Sequence, residues 1–319
     1  MSERFISHEQ HRYSTDVEGL SYVVDRLKIT YPEYETELPI LFSGNDNDNP
    51  KNLILLIPGI GAATYKKGDT IYSYFSKATK KLLEKDPSLL IATIANWPNY
   101  QEKDPLVGCK INTNGIDANS IDTKNKLIKS TLEFLINSIN PEKTTMIAHS
   151  TGSNSIIRNY DNFEKLPDLK IVTEAPSGIA KRSETLIMSE ELAKNKLLSS
   201  IATVQKWVLN PFIPMIAKSY GITYQDFKND SYLPGSFVAI NTKTLQNEIN
   251  SEAKLREINF IINENISVMV GENDPMVNVK DLESRSQTFE VISGAGHLLH
   301  RQDRFLDTWA EQILTAINK

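Results

Sequence analysis

Two short apolar runs, Leu53–Ile57 and Leu89–Ala95, constrain the fold more than any other feature of this sequence. A strand with one face in water alternates apolar and polar residues. A nearly unbroken apolar run of this length is instead typical of a strand buried on both faces, as in a parallel sheet. The two runs therefore predict neighbouring strands in the interior of a parallel sheet.

Strand-like and helix-like segments alternate along most of the chain. Further strands are predicted at 22–27, 38–42, 145–148, 170–174, 266–270 and 289–292. Helices are predicted at about 70–84, between 121 and 139, from Ser150 to about 160, between the last two strands, and at the C terminus. This alternation predicts an α/β protein with a mostly parallel, doubly wound sheet and helices on both faces.

One block, 177–262, interrupts the alternation. It contains no convincing strand, but Leu197, Ile201, Val204 and Val208 form an apolar stripe at helical spacing. The length of 319 residues allows either two domains or one domain with an insertion. We predict a core formed by 1–176 and 263–319, interrupted by a helical cap at 177–262.

Composition excludes several classes of protein. With 35 basic and 40 acidic side chains the net charge is −5, which argues against a dedicated nucleic-acid binder. The single cysteine, Cys109, excludes an intrachain disulfide and a cysteine-only zinc site. No apolar stretch approaches the roughly 20 residues of a membrane span, and no signal peptide is recognisable, so a cytoplasmic location is expected and non-standard secretion stays open. The Asn- and Asp-rich stretch Gly44–Pro50 is interpreted as a loop because it lacks the ligand spacing of a calcium-binding EF-hand.

The stretch Thr145–Ser153 is the most informative about chemistry. An apolar strand runs directly into Ser150, a helix follows, and the small residues Ala148 and Gly152 lie two positions before and after the serine. This is the strand–turn–helix context of a nucleophilic serine, whose tight turn leaves no room for large neighbours. The alternative is that Ser150 only caps the helix.

A second glycine-containing turn, Pro58-Gly59-Ile60-Gly61, directly follows the strand Leu53–Ile57. The backbone N–H of Ile60, paired with that of Thr151, would form an oxyanion hole beside Ser150. The alternative is a plain Pro-Gly turn. A phosphate-binding loop is disfavoured because no Gly-Lys-Ser/Thr follows.

An acid and a histidine follow the last two predicted strands. Asp274 comes after the first of them, with Glu272 as a competing acid, and Asp274 alternatively caps a helix near Val279. His297 ends the run Gly294-Ala295-Gly296-His297 after the last strand.

The remaining candidates for a base or a second nucleophile are weaker. His8 and His11 lie in the polar N terminus, His149 is expected to point away from its neighbour Ser150, and His300 is predicted on the last helix. Cys109 has no histidine near it in the sequence and is interpreted as a packing residue.

The chain order Ser150, Asp274, His297 decides between these alternatives. Each residue follows a predicted strand of one sheet, so all three are expected at its carboxyl edge. A histidine that a carboxylate orients can activate a serine hydroxyl, which is otherwise a weak nucleophile.

At this point the sequence resembles the α/β-hydrolase superfamily over about 22–174 and 263–319. The resemblance rests on four motifs: Pro58–Gly61, Ala148–Gly152, Gly271–Asp274 and Gly294–His297. It implies Ser150 as nucleophile, His297 as general base and then acid, and Asp274 as the residue that orients His297. It also implies Ile60 and Thr151 as oxyanion donors and 177–262 as a cap.

Three departures narrow the resemblance. Ala148 stands where the usual Gly-x-Ser-x-Gly pattern has glycine, and Asn96-Trp97-Pro98 stands where esterase and peroxidase-like members often have Asp-x-Arg-Gly-x-Gly. The His-Gly-Gly-Pro-Gly run of proline iminopeptidase-like members is absent, which disfavours an aminopeptidase. Because Ser150 rather than an aspartate occupies the turn, dehalogenases and epoxide hydrolases are poor matches.

The first functional hypothesis is a serine hydrolase that cleaves a small or acyl-chain carboxylic ester or thioester through an acyl-enzyme, without metal or cofactor. Apolar residues of the cap would line the acyl pocket or, alternatively, pack the cap onto the core: Trp207, Phe212, Ile213 and Met215. An acyltransferase on the same triad is an open alternative. A non-catalytic binding protein is a third hypothesis. The presence of all three residue types of the triad argues against it.

Overall fold

The computed structural model describes most of the predicted core and a short part of the predicted cap. The described residues are 5–14, 19–32, 34–45, 50, 52–59, 64–97, 107–113, 121–166, 168–176, 221–230, 232–233 and 261–318, with the backbone alone at 5–14, 110–113 and 121.

The described strands form one 10-stranded sheet and a separate two-stranded hairpin. The strands are β1 (Phe5–Ser14), β2 (Ser21–Thr30), β3 (Tyr34–Gly44), β4 (Asn52–Ile57), β5 (Tyr65–Lys67), β6 (Thr70–Tyr72), β7 (Leu89–Ile94), β8 (Lys110–Thr113), β9 (Lys143–His149), β10 (Leu169–Glu174), β11 (Ile266–Gly271) and β12 (Phe289–Ile292). The large sheet has the order β1-β2-β3-β7-β4-β9-β10-β11-β12, and β8 pairs with β3. From β7 to β12 every pairing is parallel, whereas β1, β2, β3 and β8 add an antiparallel end.

The described helices cover both faces of the sheet. They are α1 (Ser76–Lys85), α2 (Ile121–Ile139), α3 (Thr151–Arg158), α4 (Tyr224–Asn229), α5 (Val279–Glu283) and α6 (Asp303–Asn318). Side chains of α2, α3 and α5 pack on one face, and side chains of α1, α4 and α6 pack on the other.

Strand β4 shows why the central strands are apolar throughout. Leu53, Leu55 and Ile57 point into the first of these two cores, and Ile54 and Leu56 point into the second. Because successive side chains of a strand face opposite sides, helices on both faces leave no position for a polar residue. The predicted mostly parallel α/β sheet with helices on both faces is confirmed.

Several elements differ from the sequence prediction. The helix predicted at 70–84 begins only at Ser76, because Thr70–Tyr72 forms β6, which pairs with β5 across Gly68 and Asp69. The N-terminal strand β1 was not predicted. His300 does not lie on the last helix; it lies in a 3-10 turn, Leu299–Arg301, that precedes it.

The predicted cap stays a prediction, because 177–220 and 234–260 lie outside the described residues. The described part of that block contains α4, and four of its apolar side chains join the core formed by α1 and α6: Ile222, Phe227, Tyr232 and Leu233. In the part of the chain that the structure describes, no helix is long and apolar enough to cross a bilayer.

Candidate active site

Ser150, Asp274 and His297 lie together at the carboxyl edge of the sheet. They follow the ends of β9, β11 and β12. Nε2 of His297 lies 3.2 Å from Oγ of Ser150, and Nδ1 of His297 lies 2.8 Å from Oδ2 of Asp274. All three side chains are buried. The structure thus brings together three residues that are far apart in the sequence.

The turn at Ser150 holds the hydroxyl at the apex between β9 and α3. Ser150 has φ 53° and ψ −116°, a backbone conformation that residues other than glycine rarely adopt. Its N–H donates to the carbonyl oxygen of Glu174 at 2.9 Å, which ties the turn to the end of β10. Strained backbone that its surroundings hold in place is common at sites where chemistry occurs.

Close contacts explain the glycines around this turn. A Cβ at Gly152 would lie 2.7 Å from the carbonyl oxygen of Pro58, and a Cβ at Gly59 would lie 2.8 Å from Cβ of Ser150. The loop after β4 therefore packs directly against the serine turn. This contact places the loop predicted to carry an oxyanion donor beside Ser150.

Of the two predicted oxyanion donors, Thr151 is described and Ile60 lies outside the described residues. Thr151 is the first residue of α3, so its N–H has no acceptor within the helix and lies beside the serine. The partial positive charge of the helix N terminus favours negative charge there.

Asp274 is held rigidly by its own loop. Its Oδ1 accepts hydrogen bonds from the N–H groups of Met276 (2.8 Å) and Val277 (3.2 Å), which leaves Oδ2 for His297. The N-cap of α5 is Asn278, so Asp274 is not the helix cap that the sequence also allowed.

The competing acid, Glu272, is bonded to the loop before His297. It accepts hydrogen bonds from Oγ of Ser293 and N–H of Gly294, and these bonds lower the pKa of its exposed carboxyl. Its contacts are those of a residue that stabilises the loop before His297.

A second group of buried polar side chains lies beneath the first. Nδ1 of His300 lies 2.7 Å from Oε1 of Glu174, and Nε1 of Trp309 donates to Oε2 of the same carboxylate at 3.1 Å. Nε2 of His149 lies 3.0 Å from the carbonyl oxygen of His297. His149 therefore points towards the main chain of His297.

Burial shifts the pKa values of this second group of side chains. It lowers the pKa values of His149 and His300 well below the ordinary value, because desolvation disfavours the imidazolium. Burial also raises the pKa of Glu174, against the opposing effect of His149 and of the bonds from His300 and Trp309. Where Glu174 is a carboxylate and His300 is neutral, Nδ1 of His300 donates its proton to the hydrogen bond with Glu174.

His149, Glu174 and His300 are also the described side chains that best fit a metal ion, since their ligand atoms lie within 4.8 Å of one another. Glu174 is already bound to His300 and Trp309, and His149 to Tyr74 and the His297 carbonyl. A cation would have to displace several of these bonds, so the donor set suits a hydrogen-bonded network better than a metal site.

An ion pair fastens the described part of the predicted cap to the core. Nη2 of Arg301 lies 2.8 and 3.0 Å from the two carboxylate oxygens of Asp230, and both side chains are buried. The guanidinium carbon of Arg301 also lies 4.8 Å from the ring centre of Tyr232. Gly221 packs against the loops of Asp274 and His297, since a Cβ there would lie 2.9 Å from the carbonyl oxygen of Asn273.

Other predicted residues have no described place at this site. The predicted pocket residues Trp207, Phe212, Ile213 and Met215 lie outside the described residues. Cys109 is buried beside Thr36, and desolvation raises the pKa of its thiol to about 12. A thiol that stays protonated at neutral pH is not a nucleophile, in agreement with its interpretation as a packing residue.

The sequence analysis missed the layer formed by Tyr74, His149, Glu174 and His300. One signal was present: Glu174 is an acid at the carboxyl end of a predicted buried strand, where the strands bring functional groups together. The ionic contact between Asp230 and Arg301 had no local signal.

No protein-family model matches the chain, and no curated protein matches its sequence. Its structure is similar to a 2-hydroxy-6-oxo-6-phenylhexa-2,4-dienoate hydrolase from a Rhodococcus species, with a TM-score of 0.60 and 12% identity over 99% of this chain and 100% of that chain. A bromoperoxidase from Bacillus anthracis gives a TM-score of 0.55 and 14% identity over 89% and 96% of the two chains. An α/β-hydrolase fold protein from Burkholderia ambifaria gives 0.54 and 11% over 97% and 100%.

These likenesses identify the fold. The chain adopts the α/β-hydrolase fold, as the sequence motifs predicted. In this fold the carboxyl edge carries a serine, a histidine and an aspartate in hydrogen-bonding order.

Proposed function

We propose that this protein is a serine hydrolase that cleaves a carboxylic ester or thioester, with Ser150 as nucleophile, His297 as base and Asp274 as its orienting carboxylate. The observation that carries the proposal is the chain of two contacts, 3.2 Å from Ser150 to His297 and 2.8 Å from His297 to Asp274. The similarity in fold to proteins named as hydrolases is consistent with it.

In the first half of the reaction, Oγ of Ser150 attacks the carbonyl carbon while Nε2 of His297 takes the hydroxyl proton. The Asp274 carboxylate accepts a hydrogen bond from Nδ1–H of His297, which keeps Nε2 free as the acceptor and stabilises the imidazolium. The N–H groups of Thr151 and Ile60 would bind the oxyanion. Collapse breaks the bond to the leaving alcohol or thiol, which takes the proton from His297, and leaves an acyl group on Ser150.

In the second half, water attacks the acyl carbon and gives a proton to Nε2 of His297. The new tetrahedral intermediate collapses, the proton returns to Oγ of Ser150, and the carboxylic acid leaves. Each proton taken up by His297 is returned, so the cycle needs no other acid or base.

The acyl group of the substrate is proposed to be apolar, because the predicted cap carries Trp207, Phe212, Ile213 and Met215. A series of p-nitrophenyl esters of rising chain length tests this. We expect kcat/KM to rise with chain length; equal values for acetate and longer esters would contradict an apolar acyl pocket.

A fluorophosphonate probe tests the nucleophile directly. We expect one adduct on Ser150 by mass spectrometry, and none in the Ser150→Ala variant. Ser155→Ala is the matched control, since it makes the same change at a serine five residues further along the chain, in α3. A folded wild-type protein that carries no adduct at Ser150 after prolonged exposure would refute the proposal.

A further inference from the structure

We propose that His149, the residue before Ser150, is a positioning residue that fixes the backbone of the base histidine, His297. The proposal rests on the function proposed above for Ser150 and His297. It assigns a role to a side chain that the triad itself does not use.

The backbone of His149 is anchored in the sheet, and its side chain reaches His297. It is the last residue of β9 and is paired with Glu174 of β10, so its backbone is fixed by the sheet. Only 2% of the residue is exposed, and its side chain reaches the main chain of His297. The imidazole rings of His149 and His297 lie edge to face, with their centres 4.8 Å apart.

The two ring nitrogens of His149 have defined partners. Nε2 lies 3.0 Å from the carbonyl oxygen of His297, and because a carbonyl can only accept, Nε2 carries the proton. Nδ1 is then an acceptor, and the hydroxyl of Tyr74, 2.9 Å away, is its donor. Tyr74 is buried as well, so its hydrogen bond holds the ring of His149 in the orientation that points Nε2 at the carbonyl oxygen of His297.

The main chain before His297 is held by the hydrogen bond from the N–H of Asn273 to the carbonyl oxygen of Ala295, 2.8 Å long. The bond from His149 extends this support across Gly296, which has no Cβ, to His297 itself. Asp274 holds the ring of His297 at Nδ1, and His149 holds its main chain at the carbonyl oxygen. Two attachments at opposite ends of one residue fix the distance from Nε2 of His297 to Ser150. Displacing a reacting group by about 1 Å costs roughly 100-fold in rate.

The charge of His149 suits this role. Its low pKa keeps the side chain neutral, so it donates a hydrogen bond without placing a second cation beside the imidazolium that forms on His297. A permanently charged donor there would oppose protonation of His297 through like-charge repulsion.

Two amide substitutions separate positioning from simple packing. His149→Gln places an N–H donor near the position of Nε2 and keeps the bond to the His297 carbonyl. His149→Asn places its polar atoms near Nδ1, so it keeps the contact with Tyr74 and loses the bond to His297. The two variants carry the same functional group and are nearly the same size. If His149 is needed only for packing or burial, both variants should therefore lose similar amounts of activity.

We expect His149→Gln to keep kcat within about 5-fold of wild type and His149→Asn to lower it about 10- to 100-fold. KM for a p-nitrophenyl ester should change little in both, since the bond affects the reacting groups and not substrate binding. Circular dichroism and thermal unfolding confirm that both variants fold. Equal kcat values for the two folded variants, whether both high or both low, overturn the proposal.

A second measurement does not depend on turnover. In protein labelled with ¹⁵N-histidine, we expect His149 as the Nε2–H tautomer at neutral pH, and the ring signals of His297 shifted in His149→Asn but not in His149→Gln. If the wild-type protein has no esterase activity while these shifts appear, the proposed function is wrong and the positioning bond stands. If the His297 ring signals are the same in His149→Asn and His149→Gln, the positioning proposal is wrong whatever the activity. It is also wrong if His149 is the Nδ1–H tautomer.

Discussion

The buried ion pair between Arg301 and Asp230 allows a prediction with a worked magnitude. The side chains are 1% and 2% exposed, and Nε and Nη2 of Arg301 make contacts of 2.8 to 3.1 Å with both carboxylate oxygens. Arg301→Met removes the cation, keeps a similar length of side chain and leaves a carboxylate buried. Removing one partner of a buried pair costs about 3–5 kcal/mol of the free energy of unfolding.

The surroundings of Asp230 place the expected loss at the lower end of that range. Nζ of Lys77 lies 3.4 Å from Oδ2, and the N–H groups of Tyr232 and Leu233 donate to Oδ1 at 2.9 Å. These groups still hold the carboxylate when Arg301 is absent. We therefore expect Arg301→Met to lower the free energy of unfolding by about 3 kcal/mol.

A double-mutant cycle isolates the pair. Asp230→Asn alone leaves the cation of Arg301 with the carbonyl oxygens of Ser73 and Tyr74 and should also cost about 3 kcal/mol. The double variant leaves no unpaired charge from this pair, so it should lose about 2 kcal/mol less than the sum of the single losses.

Urea unfolding, followed by circular dichroism, measures these differences as shifts in the midpoint at constant slope. Glu311→Gln is the matched control, because it breaks a surface pair, 3.0 Å from Lys85, and should leave the midpoint unchanged. Two results would refute the reasoning: a midpoint for Arg301→Met equal to that of Glu311→Gln, or strictly additive losses in the double variant.

Three further predictions concern the site. Gly152→Ala should destabilise the protein by about 1–2 kcal/mol in the same urea assay although alanine favours helix, because the new Cβ would lie 2.7 Å from the carbonyl oxygen of Pro58; a stabilised variant would contradict this. Asp274→Asn should lower kcat about 10⁴-fold on a reactive ester while circular dichroism stays unchanged, because the amide N–H cannot accept a hydrogen bond from Nδ1–H of His297; a loss below tenfold would contradict this. The lowered pKa values of His149 and His300 mean that the unfolded chain binds more protons than the folded chain once pH falls below about 6.5, so stability should be complete above that pH and decline by about 1.4 kcal/mol per pH unit for each histidine below it. The raised pKa of Glu174 acts in the opposite direction above about pH 4.5, so urea midpoints from pH 7 to 5 should fall by less than the two histidines alone predict, and midpoints that do not fall would contradict the assignment.

The parts of the structure that the sequence predicted are those whose constraints are local. The serine turn needs small residues at fixed offsets from Ser150, and the contact of Gly152 with Pro58 is the physical reason for one of them. The strand Leu53–Ile57 is apolar because both of its faces are covered. In each case the requirement acts on neighbouring residues and therefore leaves a pattern in the sequence.

The hairpin of β5 and β6 was missed although it left a local pattern. Lys67 pairs with Thr70, so Gly68 and Asp69 form a two-residue turn, and Gly68 has φ 62°. A glycine in the first position of such a turn is a hairpin signal. The residues that follow it suited a helix as well, so a helix was predicted from about Thr70, over the strand β6. Only the pairing with Tyr65–Lys67 separates the two readings.

The layer beneath the triad left one signal, the acid Glu174 at the end of a buried strand, and its contacts left none, because they join residues far apart in the chain and often end on main-chain groups. His149 binds the carbonyl oxygen of His297, a group that every residue carries, so nothing in the side chain at 297 indicates the contact. Glu174 likewise binds a backbone N–H as well as the ring of His300. The parallel strands bring these loops to one edge of the sheet. The packing of the loops then decides which buried polar groups form hydrogen bonds with each other. A histidine next to the serine turn is thus ambiguous in the sequence, and its role depends on whether the loop of the base passes within a hydrogen bond of it.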